Sequence, residues 1–194
     1  MTEAPRPEAS LTGRLLVASP LLADSNFERA VILVLDHDED GALGVVVNRP
    51  TRVEVGEVLP SWQPYTSGPG VVFQGGPVAL DSALALAAVP SALATGGEPM
   101  GWRRVVGGLG LVDLDTPPEL LAAEMAALRV FAGYAGWSPG QLETELDEGA
   151  WHAVDAQAGD AFSGDPRQLW RRVLRRQRGE LAWLSTYPDD VRMN

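Results

Sequence analysis

The chain has 194 residues, 26 carboxylates, 15 basic residues that are all arginine, and a net charge of −11; it contains neither cysteine nor lysine. Without cysteine there are no disulfides, thiolate nucleophiles, cysteine-ligated zinc sites or iron–sulfur clusters, and without lysine there is no Walker A loop, Schiff base or lysine general base. Two histidines, His37 and His152, cannot build a three-histidine metal site, and the acidic balance repels a phosphate backbone unless arginines are segregated onto one face.

The length suits one domain, and 45% hydrophobic content with alternating apolar runs marks a globular chain. The opening MTEAPRPEAS has neither an apolar core nor a basic start, so residues 1–12 read as a disordered tail and not a secretion signal. The longest aliphatic run, AVILVL, is far shorter than the roughly 20 residues of a membrane helix. A cytoplasmic location is the expectation.

LLVAS at residues 15–19 predicts a short strand ending at Pro20. AVILVLDHDEDGALGVVVN at residues 30–48 places two β-branched runs around an acidic Asp-Gly turn, a strong hairpin signal. Residues 53–59 read as a short helix and 60–70 as a loop. A buried strand follows at 71–74, leading into the turn Gly75-Gly76-Pro77. ALALAAV at 83–89 has strict large-small alternation and predicts a strand. Residues 103–114, with Gly107, Gly108 and Gly110, predict two bent strands.

Thr116-Pro-Pro-Glu carries a cap, a proline at the first helical position and a third-position glutamate, predicting a helix to about Ala127. RVFAGYAGW then reads as a strand. Ser138 and Gln141 repeat the capping pattern for a short helix ending at Gly149, and 151–154 is a last strand. In the final helix Asp165 caps, Pro166 opens and Gly179 closes. Its apolar residues Leu169, Trp170, Val173 and Leu174 share one face, opposite Arg171, Arg172, Arg175, Arg176 and Arg178. Strands and helices mix without regular βαβ alternation, so the class is α+β.

Several candidate sites can be weighed on spacing alone. Asp36, Asp38, Asp40 and Gly41 begin like a calcium loop, but the twelfth position is Val47, and a solvated acidic turn is the better reading. His37 beside Asp36 and Asp38 is a candidate general base, set against a merely solvated loop-tip histidine. Gly107, Gly108 and Gly110 lack the third glycine of a dinucleotide fingerprint, having Asp113 there, and no helix follows.

At three separate points the chain resembles the AlgH/YqgE family of bacterial proteins. They are GRLLVASPLLADSNFERAVILVLDHDEDGALGVVVNRP at 13–50, QGGPV at 74–78 and GYAGWSPGQLETEL at 133–146. The fit continues through Trp151 and Trp170 and spans 13–185, leaving 186–194 as a C-terminal tail. The resemblance implies a single domain with a bifurcated, barrel-like, mostly antiparallel sheet flanked by helices. It carries the label of transcriptional regulator without a DNA-binding element, and it implies no catalytic residues, metal or cofactor.

Within that frame Asn48 and Arg49 are expected either to cap local turns or to line an anion-binding cleft with the Gly75–Gly76 turn. Trp137 and Gln141 are read as a structural corner or, alternatively, as a recognition surface at a helix start. Arg171, Arg172, Arg175 and Arg176 are a solvated face or a contact for an acidic partner or a neighbouring subunit. The leading expectation is a non-catalytic regulatory or adaptor domain binding a small anionic ligand or a protein partner, with any transcriptional effect indirect. Two alternatives are a direct DNA-binding regulator using the Arg167 to Arg178 helix, and a small-molecule hydrolase or isomerase using His37 and nearby carboxylates.

Overall fold

β1 (Leu15–Ala18) is buried on both faces, as are the first five residues of β2 (Val31–Asp38). Their continuous apolar composition follows, because successive side chains enter two different cores. Leu15, Val17, Val31 and Leu33 join one cluster, and Leu16, Ala18, Ile32 and Val34 join the other. The computed structural model describes residues 9–92 and 97–189. The proposed tails at 1–12 and 186–194 therefore lie partly outside the described residues.

The expected hairpin forms from β2 and β3 (Gly41–Val46), with Asp38 paired to Gly41 and a bulge between Val34 and Asp36. Next come β4 (Pro50–Glu54), the single turn α1 (Val55–Val58), β5 (Val71–Gln74) and β6 (Val78–Ala88). β7 (Trp102–Val106) and β8 (Leu109–Val112) pair around Gly107 and Gly108. The remaining elements are α2 (Glu119–Ala122), β9 (Ala127–Trp137), α3 (Gln141–Asp147), β10 (Trp151–Val154), α4 (Leu169–Arg175) and α5 (Glu180–Leu184).

β9 is the strand at which the sheet divides. One edge pairs with β6 along most of its length. On the other edge Phe131 and Ala132 run parallel to Phe73 and Gln74 of β5, whereas Ala135 to Trp137 run antiparallel to β3. The change of partner falls at Gly133, whose φ is 73°. Gly75 links the branches: its N–H donates to Ala132 O at 2.8 Å and its carbonyl accepts from Val46 N at 2.7 Å. The bifurcated, predominantly antiparallel α+β sheet is thus present, and β5·β9 is its parallel pair.

Several local expectations need correction. The helix predicted from Thr116 to about Ala127 shrinks to one turn, α2, because Ala126 N already donates to Ala88 O and the chain has joined the sheet. β4 takes in Val53 and Glu54, the first residues of the expected helix, drawn into pairing by β5. The last predicted helix opens with a single 3₁₀ turn at Pro166–Gln168 and reaches its C-cap at Arg176; Gly179 instead precedes a second helix, α5. No helix among the described residues is long and apolar enough to cross a membrane.

Candidate functional site: an arginine-lined cavity

The apolar face of α4 buries Leu169, Trp170, Val173 and Leu174 in the core that includes Leu15 and Val17. Trp170 is fixed by donating its indole N–H to Ala18 O at 2.8 Å. This burial places Arg171 and, through the preceding 3₁₀ turn, Arg167 beside the loop before β2 and the end of β3. Together these segments line a cavity of about 220 Å³.

Asn48 shapes its floor. Its Oδ1 accepts Val31 N–H at 2.9 Å and its Nδ2 donates to Arg29 O at 2.9 Å. Those two bonds hold Arg29 at φ 52°, a conformation uncommon for any residue but glycine, asparagine or aspartate. The Arg29 guanidinium consequently lies over the Trp170 ring, 4.5 Å from its centroid. Arg49 donates to Ser25 O at 3.1 Å and Glu28 O at 2.9 Å, pinning the loop that forms one wall.

Four arginines, Arg29, Arg49, Arg167 and Arg171, therefore meet two carboxylates, Glu28 and Asp189, around one cavity. Burial holds Arg29 below the ordinary arginine value, and the nearby Arg171 charge adds to the effect. Burial also lowers Arg49. Arg29 Nη1 is buried and makes no hydrogen bond among the described residues, although Asp189 Oδ1 lies 3.5 Å away. Crowded, partly desolvated guanidiniums with an unsatisfied donor are chemically suited to hold an oxyanion.

The other proposed site residues lie elsewhere. Gly75 and Gly76 are buried at the sheet division. A Cβ on Gly75 would sit 2.3 Å from Gly133 O, and one on Gly76 would sit 2.1 Å from Tyr134 C. Their glycine identity serves the close passage of two backbones, and the Gly75 N–H is already donated within the sheet. They do not line the cavity around Asn48 and Arg49.

Trp137 and Gln141 converge on Glu145 instead. The indole of Trp137 donates to Glu145 Oε2 at 2.8 Å, and Gln141 Nε2 donates to Oε1 at 2.9 Å. Gln141 Oε1 also accepts Ser138 N–H at 3.0 Å, half of the predicted capping box. Three of the helix arginines likewise tie down their own chain. Arg172 donates to Ser163 Oγ at 2.8 Å, Arg176 grips Asp160 through both oxygens at 2.7 and 2.6 Å, and Arg171 holds the segment after α5. Arg175 is exposed.

His37 is neither a loop tip nor oriented by Asp36 or Asp38. It is buried in β2, where Nδ1 accepts Leu11 N–H at 3.0 Å and Nε2 lies 2.6 Å from Glu143 Oε1. Both ring nitrogens are engaged, so neither is available to take a substrate proton. Asp36, Asp38 and Asp40 share one shallow depression with Trp137, and no group of three metal-ligating side chains occurs among the described residues.

Sequence reasoning missed Arg29, Arg129 and Asp189. Arg129, in β9, is the largest surprise: it is 2% exposed, with burial pushing it down to about 10. Its guanidinium donates to Ala161 O and Ser163 O at 3.0 Å each and to Gly68 O at 2.6 Å, and stacks 4.1 Å from the Phe73 ring centroid. Its place within an apolar strand run, RVFAGY, was the available signal.

Comparison with known proteins places this architecture. The profile of the AlgH-like family matches residues 15–182. The chain is 64% identical over 186 residues to UPF0301 protein SCO2948 of Streptomyces coelicolor, covering 96% of each chain. Among solved structures it is similar to protein DIP2367 of Corynebacterium diphtheriae, with a TM-score of 0.84, 31% identity and 95% of each chain covered. It is also similar to the solution structure of AlgH from Pseudomonas aeruginosa, with a TM-score of 0.66 and 28% identity, covering 98% of this chain and 100% of that one.

Proposed function

The chain belongs to the AlgH-like family, and from that premise we propose that it is a non-catalytic, cytoplasmic regulatory or adaptor domain whose working site is the arginine-lined cavity. The ligand is a small molecule bearing a phosphate or carboxylate group. The observation that carries this reading is the meeting of Arg29, Arg49, Arg167 and Arg171, drawn from three separate segments, in a chain of net charge −11. Such a concentration of positive charge opposes the field of the whole molecule, and guanidiniums recognise oxyanions through paired donors.

Any transcriptional effect is then indirect. The direct DNA alternative is less well supported, because Arg172 and Arg176 are bonded within their own chain and the net charge of −11 repels a phosphate backbone. The hydrolase or isomerase alternative suffers from the double engagement of His37.

Native mass spectrometry of freshly purified, untagged protein tests the proposal, followed by thermal melting with phosphorylated and carboxylated metabolites. An adduct or a stabilised melt, diminished by Arg167→Gln and abolished by Arg171→Gln, is expected; ligand at about 100 times its Kd adds about 2.7 kcal/mol of stability. An empty species whose melt responds to no anion would refute it.

A further inference from the structure

We propose that residues 185–189 form a built-in competitor for the cavity, in which Asp189 takes the place of the ligand's oxyanion and a phosphate- or carboxylate-bearing molecule binds by displacing it. This inference rests on the anion-binding reading above and assigns its regulation. The segment leaves α5 and returns across α4 as a strap. Arg171 donates to Ser185 O, to Tyr187 O at 2.8 Å and to Asp189 Oδ1 at 2.6 Å. Arg29 donates to Pro188 O and to Tyr187 O at 3.4 Å. Two arginines of the cavity are thus occupied by acceptors of the chain's own C-terminal segment.

The strap is positioned for exchange. The Asp189 side chain is 88% exposed, whereas those of Arg29 and Arg171 are 18% and 22% exposed. Its carboxylate therefore sits at the mouth of the cavity, where solvent screens the ion pair and displacement is inexpensive. It also satisfies the site incompletely, because Arg29 Nη1 remains without a hydrogen bond. A detached oxyanion, free of the backbone that tethers Asp189, can keep the bond to Arg171 and close the 3.5 Å gap to Arg29 Nη1.

Part of the placement of the recognition groups is independent of the strap. Arg29 is held by Asn48 and stacked on Trp170, while Arg171 is carried by a helix whose opposite face is core. Without the strap Arg29 remains stacked on Trp170 and the Arg171 backbone remains fixed in α4, so the arriving ligand has mainly the Arg171 guanidinium to order. Apparent affinity is then the intrinsic affinity reduced by the fraction of molecules whose strap is open.

Isothermal titration of the full chain with inorganic phosphate and, separately, succinate at constant ionic strength tests this inference. The probe that binds distinguishes a phosphate ligand from a carboxylate one. With either, Asp189→Asn is expected to bind about twofold to fivefold more tightly than the unaltered chain, and Arg171→Gln to lose binding in both backgrounds. In the unaltered chain, saturating probe should move the backbone amide resonances of Tyr187 and Asp189, as release of the strap requires. Equal affinities for the unaltered chain and Asp189→Asn, or tighter binding with the strap resonances unmoved, would overturn the competitor while leaving the anion site intact. Binding of neither probe by either protein would overturn both.

Discussion

Glu145 Oε2 accepts the indole N–H of Trp137 at 2.8 Å, joining the end of β9 to the middle of α3. The same oxygen accepts the indole of Trp151 at 2.8 Å, and the two rings meet edge to face 6.1 Å apart. One carboxylate therefore satisfies two largely buried donors that would otherwise be stranded. Glu145→Leu should destabilise the fold by about 2 kcal/mol or more, since each orphaned donor costs about 1 to 3 kcal/mol. Glu145→Gln keeps an acceptor oxygen for the indoles and should lose less. Urea denaturation of both variants checks the order, and an equal loss would contradict the hydrogen-bond account.

The division of the sheet makes a separate prediction. Gly76 has φ 156°, and an added Cβ would overlap the Tyr134 carbonyl carbon at 2.1 Å. The obstructing atoms, Tyr134 C and O and Ala135 N, are all backbone, so no side chain can rotate aside. Gly76→Ala is expected to destabilise the protein by about 3 kcal/mol or more, or to prevent folding altogether. Gly140 has φ 75° but open space around its Cβ position, and Gly140→Ala should lose only about 1 to 2 kcal/mol from backbone strain. Comparable thermal shifts in the two variants would contradict the steric argument.

The difference between these glycines explains what was legible from residue order alone. The β2–β3 hairpin was readable because its Asp-Gly turn and β-branched runs act over short distances. The alternation in ALALAAV likewise revealed β6, because its period of two reflects one locally paired strand. The role of the Gly75–Gly76 turn was not readable, since the obstacle is Gly133 and Tyr134, more than fifty residues away. A capping pattern at Thr116 overstated α2 for a related reason: pairing with β6 overrides local helix preference at Ala126. The cavity was half legible. Asn48, Arg49 and Arg171 stood out by type, but their meeting with Arg29 and Asp189 depends on how α4 and α5 pack.

Arg129 is a buried cation whose partners are carbonyls, with Phe73 beneath it. It ties β9 to the Gly68 loop and to Ala161 and Ser163. Arg129→Met fills much of the volume but leaves those carbonyls unpaired, and should cost about 3 kcal/mol or more. Arg129→Lys retains a charge without the planar fork that spans separate acceptors, so it should recover only part of that loss. Chemical denaturation ranks the three proteins. Stability unchanged in Arg129→Met would mean that the carbonyls find water as readily as they find the guanidinium.

Glu143 contributes to the acid response through its bond with His37. Nδ1 of His37 accepts the Leu11 N–H, which places the ring proton on Nε2, donated to Glu143. Glu143 is held below the ordinary carboxylate range, first by its own backbone N–H and then by His37, against an opposing effect of burial. A carboxyl with a depressed folded-state value stabilises the fold fully above its unfolded value of about 4.3 and loses that contribution as pH falls through the folded value. Glu143→Gln retains an acceptor for Nε2–H but does not titrate. The stability advantage of the unaltered protein over this variant should therefore narrow as pH falls below about 4.3, by under about 1 kcal/mol given the partial exposure of the pair. Urea denaturation at stepped pH measures the gap directly; a gap that stays constant or widens on acidification would show that the carboxylate is not held in its charged form by the fold.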